Sequence, residues 1–144
     1  MERHAMIECL ERHGFKVTDK RKAIYDILHE HKRFMSAKEL HELLIRKYPS
    51  MSLDTVYRNL TVFADLAVLE LLEMDGERRY RLACKDQRCH HHHLICTGCG
   101  TTKIIPAACP LETLEIPSNF QITGHRFEIF GFCQQCSTTE ASQA

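Results

Sequence analysis

A chain of 144 residues that is 44% apolar can bury one sizeable core or two small ones, and its 19 basic and 19 acidic side chains leave no net charge. That balance excludes a partner held by bulk electrostatic attraction, so any nucleic acid must be gripped by a local patch. With no signal peptide and no long apolar run, the expectation is a cytoplasmic protein without a membrane partner, in which eight cysteines read as metal or redox ligands before disulfides.

Met6, Ile7 and Leu10 fall at helical spacing, which predicts a first helix over residues 2–13, stopped by Gly14. Thr18 opens a second helix, with Asp19 in its first turn, Ala23, Ile24, Ile27 and Leu28 as its apolar stripe, and Lys20, Arg21 and Lys22 near its start. A third starts at Ser36-Ala37-Lys38-Glu39, a capping box, with Met35 and Leu40 placed as a hydrophobic staple; it is expected to run to residue 48, before Pro49. Ser52 caps a fourth helix whose Leu53, Val56, Leu60 and Phe63 form one stripe. Thr55, Tyr57, Arg58 and Asn59 fall largely off it, a set suited to base and phosphate contacts, the alternative being a solvated helix face. Residues 68–74 and 78–82 flank Asp75-Gly76, a dipeptide that favours a two-residue hairpin because both positions need positive φ. Helices followed by a hairpin make a winged helix, in which the helix before the hairpin enters the major groove.

Cys96-Thr97-Gly98-Cys99 and Cys133-Gln134-Gln135-Cys136 are two tight turns that together offer four thiolates to one tetrahedral ion. A thioredoxin-like redox pair is the rival for one Cys-x-x-Cys, but two pairs without a βαβ pattern between them favour structural zinc. Around them, residues 94–96, 102–105 and 127–132 read as strands and 110–116 as a short helix, a small α/β unit. His90, His91, His92 and His93 run into the first of these strands, where alternation faces His90 and His92 one way and His91 and His93 the other. One run can thus serve two sites, the alternative being a solvated polar hinge. His90 and His92 find a candidate partner in His125, with Glu112 as a possible carboxylate. His91 and His93 find one in Cys84, which lies where hairpin gives way to linker; a thiolate beside two imidazoles favours zinc over iron(II). Cys9 reads as a core residue, and Cys89 and Cys109 have no assignment.

Over almost its whole length the chain resembles the ferric uptake regulator family, and within it most closely the zinc uptake regulators. The motifs are Leu53-Asp54-Thr55-Val56-Tyr57-Arg58-Asn59-Leu60, His90-His91-His92-His93-Leu94-Ile95-Cys96-Thr97-Gly98-Cys99-Gly100, and Gly124-His125-Arg126-Phe127-Glu128-Ile129-Phe130-Gly131 before Cys133. The resemblance implies an α+β homodimer: a winged helix over residues 1–83, a hinge over 84–90, and a zinc-stapled α/β dimerisation and metal-binding domain over 91–144. By position, Cys96, Cys99, Cys133 and Cys136 match the structural zinc site. Cys84, His91 and His93 match the hinge sensing site, with Glu70 as fourth ligand and Glu73 as its rival after a bulge. His90, His92, Glu112 and His125 match an additional site. Tyr57 and Arg58 match recognition-helix contacts, Lys16 the basic residue that approaches the minor groove, and Thr55 a phosphate contact. Iron and peroxide sensors of the family have a carboxylate in place of Cys84 and a histidine in place of Phe34, although His31 stands nearby.

The expectation is therefore a repressor that binds double-stranded inverted-repeat operator DNA when zinc fills the hinge site and releases it when zinc is scarce. The alternative is an iron- or manganese-dependent, or peroxide-sensing, repressor of the same family. No small-molecule substrate is expected: a zinc hydrolase or deaminase needs His-Glu-x-x-His, or His-x-Glu with Pro-Cys-x-x-Cys, and neither occurs. A protein-interaction zinc module would leave Tyr57 and Arg58 without a role.

Overall fold

The computed structural model describes residues 2–83, 92–106 and 109–140, the side chains of 139 and 140 excepted. Expectations that rest on Cys84, Cys89, His90 and His91 lie outside the described residues. The chain divides into two compact units, Met1–Lys85 and Asp86–Ala144.

The first unit runs α1 (Arg3–Arg12), α2 (Asp19–His31), β1 (Met35–Ser36), α3 (Ala37–Leu44), α4 (Leu53–Asp65), β2 (Leu69–Met74) and β3 (Glu77–Leu82). Each expected helix start is present. The Thr18 side chain accepts from the Arg21 amide, Ser52 accepts from Thr55, and Ser36 and Glu39 form the reciprocal capping box. Helix α3 stops at Leu44, earlier than expected, and the chain closes in a turn where the amides of Lys47 and Tyr48 both bond to the Leu44 carbonyl, at 3.1 and 2.8 Å. Pro49 thus follows a turn that has already closed. The hairpin forms at Asp75 and Gly76 with φ of 52° and 75°.

Strand β1 carried no signal of its own. It pairs Met35 with Tyr80 and Ser36 with Arg79, completing an antiparallel sheet of order β1-β3-β2. The core beneath holds Met6, Leu10, Ile24, Leu28, Leu40, Val56, Leu60 and Phe63, drawn from all four helices and fully buried. Truncating Phe63 there would cost about 3–5 kcal/mol. Cys9 packs against this core as a partly buried side chain.

The second unit holds β4 (His92–Cys96), β5 (Thr102–Ile105), a short 3-10 helix (Pro110–Thr113), β6 (Glu128–Gly131) and α5 (Gln134–Glu140). The sheet order is β5-β4-β6, with β4 antiparallel to β5 and parallel to β6. The helix expected over 110–116 is a single 3-10 turn that ends at Thr113. Together the units make the mixed α+β architecture read from the sequence: an N-terminal winged helix, then a small sheet unit carrying the cysteine cluster.

Candidate metal centres and recognition helix

The four-cysteine cluster is built where β4 ends and where β6 leads into α5. Cys96 closes β4, Cys99 follows in the turn, Cys133 lies just after β6, and Cys136 lies in the first turn of α5. Their sulfurs lie within 4.8 Å of one another. The Cys99 and Cys133 sulfurs are 3.8 Å apart. Tetrahedral zinc–sulfur bonds of roughly 2.3 Å put two sulfurs about 3.8 Å apart, so the cluster fits one zinc-sized ion. Gly98 is required by its neighbour: a Cβ there would stand 2.9 Å from the Cys136 sulfur.

The electrostatics are those of thiols brought together to share charge. Burial pushes the Cys96 thiol up, but the Cys133, Cys99 and Gly98 amides and the Cys99 thiol outweigh it and bring it down to about 6. The Cys136 thiol donates to the Cys133 and Cys96 sulfurs, which holds its proton in place and pushes it up to about 12. A cation replaces that shared proton inventory with a direct charge partner.

At the opposite end of β4 the structure assembles a second group that the sequence reading only half anticipated. His92, Cys109 and His125 bring one ligand atom each within 4.8 Å of the others. The Cys109 sulfur is 3.0 Å from His125 Nε2. Glu112 is exposed and is not part of this group. Cys109 went unassigned because a lone cysteine has no spacing partner in sequence; its only local signal was Pro110, which starts the 3-10 helix it caps.

Of the hinge set, Glu70 lies on β2 in the first unit and His93 on β4 in the second, where it is buried. The β2–β3 register is continuous from Leu69↔Leu82 to Met74↔Glu77, so no bulge brings Glu73 to the face of Glu70. Glu70 is ion-paired to Arg81, a buried residue whose guanidinium lies 4.8 Å from the centre of the Phe34 ring. Sequence reasoning missed Arg81; the alternation of β3 places it directly across from Glu70. His31 is the exposed last residue of α2.

The outer face of α4 carries the expected recognition residues. Tyr57 is 41% exposed, and Arg58 is exposed with an i,i+4 ion pair to Asp54 at 2.7 Å. The Thr55 hydroxyl bonds Ser52 Oγ at 2.9 Å, and Lys16 is exposed. Asn59 differs from the expected base-reading set, since it accepts from Arg21 Nε at 3.0 Å and donates to the Thr55 carbonyl at 2.7 Å. Arg21 also donates to the Lys16 carbonyl, so Asn59 helps tie the segment before α2 to α4.

A winged helix with an exposed polar recognition face, followed by a sheet unit with a four-thiol metal cluster, defines a metal-responsive transcription regulator. Residues 12–130 match the model of the ferric uptake regulator family, and the chain belongs to that family. The ferric uptake regulation protein of Staphylococcus epidermidis (strain ATCC 12228) is 41% identical over 138 residues, covering 94% of this chain and 96% of the relative. The crystal structure of the Vibrio cholerae ferric uptake regulator superposes with a TM-score of 0.65 at 27% identity, covering 89% of this chain and 99% of that one. A zinc-bound manganese uptake regulator superposes at 0.64 and 25% identity, covering 88% and 96%. Proteins of this family are dimeric DNA-binding regulators rather than enzymes. No helix among the described residues is long and apolar enough to cross a membrane.

Proposed function

We propose that this chain is a zinc-responsive repressor that works in the cytoplasm as a homodimer on double-stranded inverted-repeat operator DNA. The observation that carries the metal-dependent part is the four-thiol cluster, whose sulfur spacing suits a closed tetrahedral site. Cys96, Cys99, Cys133 and Cys136 hold a permanent zinc there, which when bound supplies a cross-link and no catalysis.

Cys84, His91, His93 and Glu70 form the reversible set. Zinc is favoured because a thiolate joins two imidazoles, and because Phe34, fully buried, offers no ligand where iron and peroxide sensors have a histidine. Tyr57 and Arg58 read bases, Thr55 contacts phosphate, and Lys16 approaches the minor groove. Linkage requires DNA to tighten zinc by the factor that zinc tightens DNA; about 1–3 kcal/mol of coupling gives roughly 5- to 150-fold. Two-fold symmetry requires an inverted repeat.

A second reading is an iron- or manganese-dependent, or peroxide-sensing, repressor, favoured by the ferric name of the Staphylococcus relative and by His31 as an additional imidazole. The test of the division of labour is a pair of substitutions. Cys84→Ser is expected to abolish zinc-dependent operator binding while keeping fold and dimer, and Cys96→Ser to damage both; equal damage from the two overturns the assignment.

A further inference from the structure

We propose that Cys109, and not Glu112, completes a second metal site in the sheet unit with His92 and His125, and that its thiolate selects zinc-class ions over manganese(II) and iron(II). The inference deepens the metal-regulator reading by naming the donor set of its additional site.

Three observations meet at one end of the β5-β4-β6 sheet. The ligand atoms of His92, Cys109 and His125 lie within 4.8 Å of one another, with the Cys109 sulfur 3.0 Å from His125 Nε2. His92 is only 3% exposed, yet its Nε2 is buried with no hydrogen-bond partner among the described residues. A buried imidazole nitrogen in that state is explained by a bound ion or by a group still to be supplied. Phe127 fixes the ring orientation, lying edge-on to His92 with centroids 5.4 Å apart, while the His125 ring sits 5.6 Å away.

The chain geometry explains why the thiol rather than the carboxylate arrives. Cys109 precedes Pro110 and holds the extended conformation that this position imposes, φ −63° and ψ 123°. The helical turn that follows carries Glu112 to the exposed side, with its amide bonded back to the Cys109 carbonyl at 3.1 Å. The site is separate from the four-cysteine cluster, because His92 and Cys96 stand at opposite ends of β4, roughly 13 Å apart along the strand.

Two imidazoles and one thiolate are a borderline-soft set. They suit zinc and disfavour ions that require oxygen ligands.

The probe is cobalt(II), added to full-length protein that retains one zinc per chain, in a Cys84→Ser background that removes the hinge thiolate. The expected result is a near-ultraviolet thiolate-to-cobalt charge-transfer band of one-thiolate intensity. It is lost on adding Cys109→Ser, lost or strongly shifted on adding His125→Gln, kept on adding Glu112→Gln, and displaced by zinc but not by excess manganese(II). No band, a band that survives Cys109→Ser, or one that disappears with Glu112→Gln overturns the proposal. Retained zinc stoichiometry and an unchanged far-ultraviolet circular dichroism spectrum establish that each variant is folded. Zinc-dependent operator binding is read separately on the unaltered protein: failure there alone sinks the zinc-repressor reading, and failure of the cobalt band alone sinks this one.

Discussion

Gly98 and Arg81 show how single residues decide whether a site can form. A methyl group added at Gly98 would sit 2.9 Å from the Cys136 sulfur, so Gly98→Ala is expected to weaken zinc retention by the four-cysteine cluster, read by chelator competition. Proton competition follows from the same cluster. With Cys96 brought down to about 6 and Cys136 pushed up to about 12, zinc loading at neutral pH must expel at least the Cys136 proton. Zinc affinity of the stripped protein should therefore fall as pH falls, and loading in weak buffer should release protons. Arg81, only 7% exposed at its side chain, holds the carboxylate that the proposed hinge site requires. Arg81→Met keeps volume over Phe34 but removes the cation competing for Glu70. It is expected to cost about 1–3 kcal/mol of stability in denaturant unfolding, because Glu70 loses its hydrogen-bonded partner, while tightening zinc at the hinge set; weaker zinc binding would exclude Glu70 as a ligand.

Elements whose ends are set by local chemistry were legible; those set by tertiary pairing were not. The Ser36 capping box and the Asp75-Gly76 turn were readable because a side chain or a positive φ fixes each within four residues. Strand β1 was hidden because its two residues gain strand character only from Tyr80 and Arg79. Helix α5 was missed because Gln134–Glu140 has no apolar stripe to announce it. The four-cysteine site was legible from its doubled spacing, whereas Cys109 meets His125 only through the fold. The capping box makes its own prediction. Burial raises the Glu39 carboxyl, but the Ser36 amide and Arg33 outweigh it and hold it below the ordinary glutamate value. Its contribution is thus present above that ordinary value and lost as pH falls through the depressed one. Ser36→Ala should cost about 1 kcal/mol, and Glu39→Gln should flatten part of the acid limb of a stability-against-pH curve.

At the scale of the whole molecule, the two units differ in how much they bury. The winged helix owns a core drawn from four helices, while the sheet unit leaves Ile104, Phe120, Phe127, Ile129, Phe130 and Phe132 exposed. Apolar surface on that scale marks an interface, which fits the dimeric habit of the family. Phe130→Asp is expected to shift sedimentation toward monomer and to weaken operator binding while the zinc content of the four-cysteine cluster stays unchanged.

The proposed role of zinc as co-repressor is tested by a metal titration. Protein retaining its structural zinc is titrated separately with zinc, iron(II) and manganese(II), and the anisotropy of a labelled inverted-repeat duplex obtained by selection is followed. Zinc alone, at low free concentration, is expected to switch on tight binding. Activation by iron or manganese with zinc ineffective would contradict it, and failure to select any duplex under any metal would contradict the repressor reading itself.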